Sequence, residues 1–365
     1  MNIDEFVEVG EFERASEVAM TTMARDYYAG GAAEEITLRG NVSAFQKLQL
    51  FPRMLVDVSH VHPETTVLGQ SLSMPLLIAP TAFHRMAHPD GELATARAAK
   101  ASGIGMVASS IATCSLEDIA SCGPEPRWFQ LYVYRDRGLS AEMVARAETN
   151  GYSALVLTVD APRFGRRYAD MRNHFSLPEG MTLANFTQEG VGSMRKAKGG
   201  SSLNAYVADQ FDASLTWNDV EWLRGITKLP ILVKGILRAD DAKLALDHGL
   251  DGVVVSNHGG RQLDGVQPSI DALPAIADVL QGQIEVLMDG GVRRGTDILK
   301  ALSLGAKAVL MGRPILWGLA SGGEKGVCKV LSLLREEYEL ALILAGCPSS
   351  VSIDSTIVRG PSSGF

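Results

Sequence analysis

The stretch Gly252-Val253-Val254-Val255-Ser256-Asn257-His258-Gly259-Gly260-Arg261-Gln262-Leu263-Asp264-Gly265 joins two unlike halves. Its first four residues are an unbroken apolar run, which reads as a short, fully buried strand. The run then releases a histidine and an arginine three residues apart, with glycines between them. Histidine has the side-chain pKa nearest neutral and can take a proton at working pH. Arginine presents a rigid fork of donors that matches a carboxylate. The glycines let the backbone turn tightly and let a ligand approach closely. A proton acceptor beside a carboxylate fork suits chemistry at the α-carbon of a small acid.

The same pattern of short apolar run, polar turn and helix recurs from about residue 74 onward. Strands are expected at 75–79, 103–108, 128–132, 154–159, 230–233, 252–255, 285–288 and 308–311. Between them, segments such as 91–102, 139–149, 239–248 and 296–304 place apolar residues at three- and four-residue spacing, the mark of amphipathic helices. Eight strands alternating with helices predict a closed (β/α)8 TIM barrel rather than an open sheet. The chain is expected to be one domain, 1–365, with the barrel at 74–345. Residues 1–73 read as a helical extension with a short strand or two. Residues 161–228 read as a long loop, of which 190–202 is rich in Gly, Ser and Lys. A connection of that length is expected to serve as a lid, part of it mobile.

Composition narrows the function. The 365 residues are 46% hydrophobic and 21% charged, with a net charge of −8, so a nucleic-acid partner is not expected. No apolar run reaches the roughly 18–20 residues of a membrane span. The first residues, Met1-Asn2-Ile3-Asp4-Glu5, are acidic where a signal peptide is basic then apolar. The last, Pro361-Ser362-Ser363-Gly364-Phe365, match no retention or peroxisomal address. Cys114, Cys122, Cys328 and Cys347 are scattered, which argues against a structural zinc or a disulfide framework and for a cytoplasmic setting. His84 and His88 lack a third ligand, and no metal is expected.

In such barrels the active site is built where the strands end. The first strand runs into Pro80-Thr81-Ala82 and the second into Ser109-Ser110. The third carries Gln130 and Tyr132, and the fourth carries Thr158 and Asp160 with Arg167 beyond. The fifth delivers Lys234, and the sixth Ser256, His258 and Arg261. The seventh ends in Asp289-Gly290-Gly291-Val292-Arg293 and the eighth in Gly312-Arg313. These last two turns read as a phosphate cradle, glycines exposing N–H groups beside two arginines. Asp160 is read as the carboxylate that orients His258 and stabilises its charged form. Arg167 is read as a second arm for Arg261. Lys234 has two readings, a Schiff-base nucleophile or a fixed positive charge beside a cofactor.

These motifs resemble the FMN-dependent α-hydroxy acid oxidases, the family of glycolate oxidase, lactate oxidase, mandelate dehydrogenase and flavocytochrome b2. The resemblance rests on Ile78-Ala79-Pro80-Thr81-Ala82, Gln130-Leu131-Tyr132, Leu157-Thr158-Val159-Asp160, Leu232-Val233-Lys234-Gly235, the stretch 256–265 and Asp289-Gly290-Gly291-Val292-Arg293-Arg294-Gly295. It implies FMN across the barrel mouth, its phosphate on Gly290, Gly291, Arg293, Gly312 and Arg313, with Asp289 near the ribityl chain. Ser109, Gln130, Thr158, Ser256 and the Thr81-Ala82 backbone would contact the ring system. Lys234 would tune the cofactor, which displaces the Schiff-base reading.

The resemblance also implies that Arg167 and Arg261 clamp the substrate carboxylate with help from Tyr27, and that Tyr132 contacts the hydroxyl. His258 would be the base, with Asp160 holding the resulting imidazolium. Whether the proton comes from carbon or from the hydroxyl stays open, and His258 is the base in either case. Tyr206 would be a lid residue closing on the substrate. Plant-type glycolate oxidases carry Trp near the substrate side chain where this chain has Ile111, and Phe83 also alters the pocket wall. A side chain larger than that of glycolate is therefore expected. Ala82 matches the oxidase branch, since several monooxygenase and dehydrogenase members carry Gly there. The expected reaction is oxidation of an (S)-2-hydroxy acid to a 2-oxo acid, with O2 reduced to H2O2, by a homotetramer. The alternative is a dehydrogenase or monooxygenase of the same family.

Overall fold

A computed structural model of the chain describes residues 2–186, 192, 194 and 199–360. The apolar runs become eight parallel strands. These are β1 (Leu76–Ile78), β2 (Gly105–Ser109), β3 (Arg127–Leu131), β4 (Leu155–Thr158), β5 (Ile231–Ile236), β6 (Gly252–Val255), β7 (Glu285–Asp289) and β8 (Ala308–Met311). They close into a barrel, β8 pairing back onto β1 through Val309↔Leu76 and Met311↔Ile78. This is the (β/α)8 architecture that the spacing predicts.

Alternation along each strand explains why the runs must be wholly apolar. Leu77, Val107, Trp128, Val156, Leu232, Val254, Leu287 and Leu310 pack together inside the barrel. Their neighbours Ile78, Met106, Phe129, Leu157, Val233, Val255, Met288 and Val309 join the cluster under the surrounding helices. A strand buried on both faces has no place for a polar side chain until it leaves the barrel. Val67 and Leu72, from the antiparallel pair Thr65–Val67 and Gln70–Leu72, belong to the interior cluster.

The extension 1–73 also carries the expected helices, Val9–Ala19, Thr22–Ala29 and Ile36–Lys47, and a short strand, Gln49–Leu50, paired with Val358–Arg359. Thr21 caps the second of these, its hydroxyl accepting from the Ala24 N–H. That helix carries Tyr27 and Tyr28 to the mouth of the barrel.

Segment 161–228 departs from the expected loop. It contains the helices Tyr168–Arg172, Ser202–Gln210 and Asn218–Ile226. The first two are five and nine residues long, too short for a periodic pattern to stand out. Asn218–Ile226 buries Val220 and Leu223 in the core under the helices, leading into β5. The expected mobile part falls largely on residues outside those described.

Candidate active site

Each strand end contributes to one cleft. It is walled by Tyr27, Pro80, Thr81, Ala82, Ser109, Ile111, Tyr132, Arg167, Lys234, His258, Arg261, Asp289, Gly291, Arg293, Gly312 and Arg313, among others.

His258 sits in a turn held from several sides. Its φ is +59°, in the left-handed region that a non-glycine side chain rarely adopts. Two asparagines stabilise the turn: Asn257 Nδ2 donates to Asn41 Oδ1 at 2.7 Å, and Asn41 Nδ2 to Asn257 Oδ1 at 2.8 Å. The His258 N–H donates to Ser256 Oγ at 3.0 Å. The ring meets Asp160, with Nδ1 and Oδ1 2.8 Å apart, although the two are 98 residues apart in sequence. Gly235 makes this approach possible. It lies at a register shift in β5 with φ +111°, and a Cβ there would come within 2.6 Å of the Asp160 Cβ.

The electrostatics suit a base. Burial lowers the His258 pKa from its ordinary 6.5, outweighing the pull of Asp160. Burial works to raise the Asp160 carboxyl, but His258 and Lys234 outweigh it and hold it below its ordinary 3.8. The imidazole is thus neutral and the carboxylate ionised near neutral pH, with Asp160 Oδ2 buried and without a hydrogen bond.

Lys234 is buried and forms an ion pair with Asp289 at 3.0 Å. Its ammonium donates to Ser256 Oγ at 2.9 Å, and Ser256 Oγ donates to Asp289 Oδ1 at 2.6 Å. Burial acts to neutralise the amine, yet Asp289 and Asp160 keep its pKa above the ordinary 10.5. An amine held protonated is no nucleophile, so the geometry favours the fixed charge over the Schiff base.

The two arginines expected as a clamp flank one aromatic ring. The guanidinium of Arg261 lies 4.8 Å from the Tyr27 ring centre and that of Arg167 lies 5.9 Å from it. Arg261 Nη1 donates to the carbonyls of Tyr27 and Gly30. Burial and the nearby Arg261 lower the Arg167 pKa to about 10.

Past β7 and β8, Gly290 and Gly291 both have φ +93°, and a Cβ on Gly291 would fall 2.3 Å from the Asn41 carbonyl oxygen. Among the described residues the Arg313 guanidinium donates only to the carbonyls of Tyr28, Gly259 and Gly30, and the Arg293 guanidinium only to that of Val292. Neither has an ion-pair partner among the described residues. Burial and the charges of Arg261 and Arg293 push Arg313 well below its ordinary pKa. In a chain of net charge −8, this concentration of guanidinium with no directly paired carboxylate among the described residues marks a site for an anionic ligand. The chemistry of these donors suits a phosphate-bearing cofactor.

Some expected contacts do not line the cleft. Ser256 lies beneath it, bridging Lys234 and Asp289. Gln130 and Thr158 stand behind the lining residue Ser109, whose Oγ donates to Gln130 Oε1 at 3.2 Å while Gln130 Nε2 donates to Thr158 Oγ1 at 3.0 Å. Phe83 is fully buried behind Tyr27, their ring centres 5.4 Å apart, and its carbonyl accepts from the Tyr28 hydroxyl. Tyr206 is buried and edge-on to Phe186 at 6.2 Å. Both were expected at the substrate and stand one layer back, because aromatic side chains fill the space between the long segment and the mouth.

Three contributors were missed. Phe164 lines the cleft, its ring 4.8 Å from the Arg167 guanidinium. Gln262 accepts from the Gly165 N–H and donates to the Asp160 and Arg163 carbonyls, tying the loop after β4 to the turn after β6. Asn41 supports His258 from the N-terminal extension. Only Gln262, inside the opening stretch, carried a local signal.

A family model described as FMN-dependent dehydrogenase matches residues 16–360. The chain is 52% identical to the L-lactate oxidase of Nostoc sp. (strain PCC 7120 / SAG 25.82 / UTEX 2576), over 96% of this chain and 97% of that one. It is 51% identical to the glycolate oxidase of Spinacia oleracea, over 98% of both. A solved structure of mandelate oxidase with (S)-4-hydroxymandelic acid superposes with a TM-score of 0.93 at 44% identity, over 97% of this chain and 98% of that one. The chain therefore belongs to the FMN-dependent dehydrogenase family, alongside oxidases of 2-hydroxy acids, and FMN is its cofactor.

Proposed function

We propose that this protein is an FMN-dependent (S)-2-hydroxy-acid oxidase that converts L-lactate or an acid with a larger side chain to the 2-oxo acid, with O2 reduced to H2O2. The observation that carries the reading is the neutral His258, backed by ionised Asp160, sharing one cleft with the Arg167–Arg261 pair.

When bound, FMN supplies the two-electron acceptor at the substrate carbon. Arg293, Arg313, Gly290, Gly291 and Gly312 would hold its phosphate, with Asp289 near the ribityl chain. Lys234, kept charged by Asp289, would present a fixed cation to its ring. Ser109, Gln130, Thr158, Ser256 and the Thr81-Ala82 backbone would complete the ring's surroundings, Gln130, Thr158 and Ser256 acting from beneath.

The chain's own groups do the proton work. Arg167 and Arg261 bind the carboxylate, and Tyr27 packs beneath both guanidinia. Tyr132 offers its hydroxyl to the substrate oxygen, and burial keeps that phenol protonated by raising its pKa. With Nδ1–H donated to Asp160, His258 accepts the substrate proton at Nε2. The charge that appears on the ring is met by a carboxylate already in place, so little reorganisation is needed.

Ile111 is 2% exposed and lines the cleft with Phe164, leaving an apolar wall around the substrate side chain. That wall, and the likeness to mandelate oxidase, favour side chains beyond that of glycolate. Cytoplasmic location and homotetrameric assembly are part of the proposal. All four cysteines are free, and no described helix is long and apolar enough to cross a membrane.

The test is a peroxide assay over L-lactate, glycolate, L-mandelate and longer 2-hydroxy acids. Peroxide equal to substrate consumed supports the oxidase. Peroxide well below it points to a dehydrogenase or monooxygenase. A protein that takes up no FMN on reconstitution refutes the reading.

A further inference from the structure

Asp170 is a buried carboxylate with no assigned task. It is 1% exposed, and neither carboxylate oxygen has a hydrogen-bond partner among the described residues. Such a group is costly to bury, because ionised oxygens lose water and gain nothing in return. It lies in the first turn of Tyr168–Arg172, where an acidic side chain ordinarily accepts a backbone N–H, yet it makes no such bond. Helix capping does not account for it.

Its surroundings do. Arg167 Nη1 lies 3.8 Å from Asp170 Oδ2, an ion pair outside hydrogen-bond range. That same Nη1 is buried and has no hydrogen-bond partner among the described residues. Arg167 is otherwise held only by a long bond from Nε to the Arg261 carbonyl at 3.4 Å and by the Phe164 and Tyr27 rings. Arg261, by contrast, is anchored on two carbonyls at 2.6 and 2.8 Å. The clamp thus has one fixed arm and one loosely held arm. The two like charges repel, and Asp170 is attracted to both.

We propose that Asp170 is a positioning residue for substrate binding: it offsets the repulsion between Arg167 and Arg261 and keeps Arg167 turned toward the cleft without consuming its Nη1 donor. The 3.8 Å gap is the central observation. A closer carboxylate would occupy Nη1 and compete with the substrate. An absent one would leave Arg167 free to swing away from Arg261.

The inference rests on the two-arginine clamp proposed above, and the experiment separates the two. Propionate, a carboxylate with no α-hydroxyl to oxidise, is titrated by calorimetry into the FMN-loaded wild type and into Asp170→Asn, which keeps the shape and removes the charge. The expected result is a Kd at least tenfold weaker in the variant, with a matching rise in KM for L-lactate and a kcat changed less than threefold. Loss of uniform binding has this signature, and a merely structural defect would lower kcat as well. In an Arg167→Met background, Asp170→Asn is expected to add less than its full effect in the wild type, because only its attraction to Arg261 remains.

A Kd unchanged or tightened by Asp170→Asn overturns the proposal, as does a full additional loss in the Arg167→Met background. If Asp170→Asn does not retain FMN, Asp170→Glu carries the test. One methylene longer, its carboxylate reaches Nη1 and weakens propionate as well, and an unchanged Kd again overturns the proposal. A wild type that binds no propionate and is reduced by no 2-hydroxy acid would instead refute the clamp itself.

Discussion

Replacing Asp160 by asparagine isolates the charge beside His258. The side chain keeps its size, and Nδ1 and Oδ1 already lie 2.8 Å apart, so packing is preserved. What is lost is the attraction between the carboxylate and the imidazolium that forms when His258 takes the substrate proton. For charge centres about 4 Å apart at an effective dielectric of about 20, that attraction is worth about 4 kcal/mol. At about 1.4 kcal/mol per decade, flavin reduction should slow roughly a thousandfold. Because Asp160 also raises the His258 pKa against the effect of burial, the variant's imidazole should titrate at still lower pH. The assay is anaerobic stopped-flow reduction of the bound flavin by L-lactate, with FMN content checked beforehand. A fall of less than tenfold in a variant that holds its FMN would refute the role given to Asp160.

Further outcomes follow from the same geometry. In the wild type, kcat/KM should be flat near neutrality and drop as pH falls through the His258 pKa, which burial places below 6.5; a limb centred above 7 would contradict a neutral buried base. Lys234→Met leaves the Asp289 carboxylate buried with only Ser256 beside it, and should lower the unfolding free energy by about 3–5 kcal/mol in urea titrations; a loss under about 1 kcal/mol would mean the pair is not structural. Ile111→Trp puts an indole into the apolar wall, and should lower kcat/KM for L-mandelate at least tenfold relative to glycolate; an unchanged ratio would remove Ile111 from specificity.

Much of the barrel was legible in advance because burial on both faces leaves a strand no choice of composition. The expected run at 252–255 and the observed strand Gly252–Val255 coincide, and the other seven strands lie within about three residues of expectation. The polar residue that ends each run marks the mouth for the same reason, which is how Lys234, His258, Asp289 and Arg313 were found from the sequence. Segment 161–228 was not legible. Its helices are short, and what stabilises them is packing against distant elements rather than a pattern of their own.

Residue types and their place at strand ends were set locally, since the apolar runs and the turns after them are decided within a few residues. Which strand ends face each other was decided by barrel closure, a long-range event. Asp160 meets His258 across 98 residues and Gln262 meets Gly165 across 97. The left-handed turn at His258 depends on Asn41, 216 residues from Asn257. Phe83 and Tyr206 stand a layer back, and Asp170 stops 3.8 Å short of Arg167. No spacing along a chain encodes such distances, because they are the outcome of packing many side chains into one closed volume.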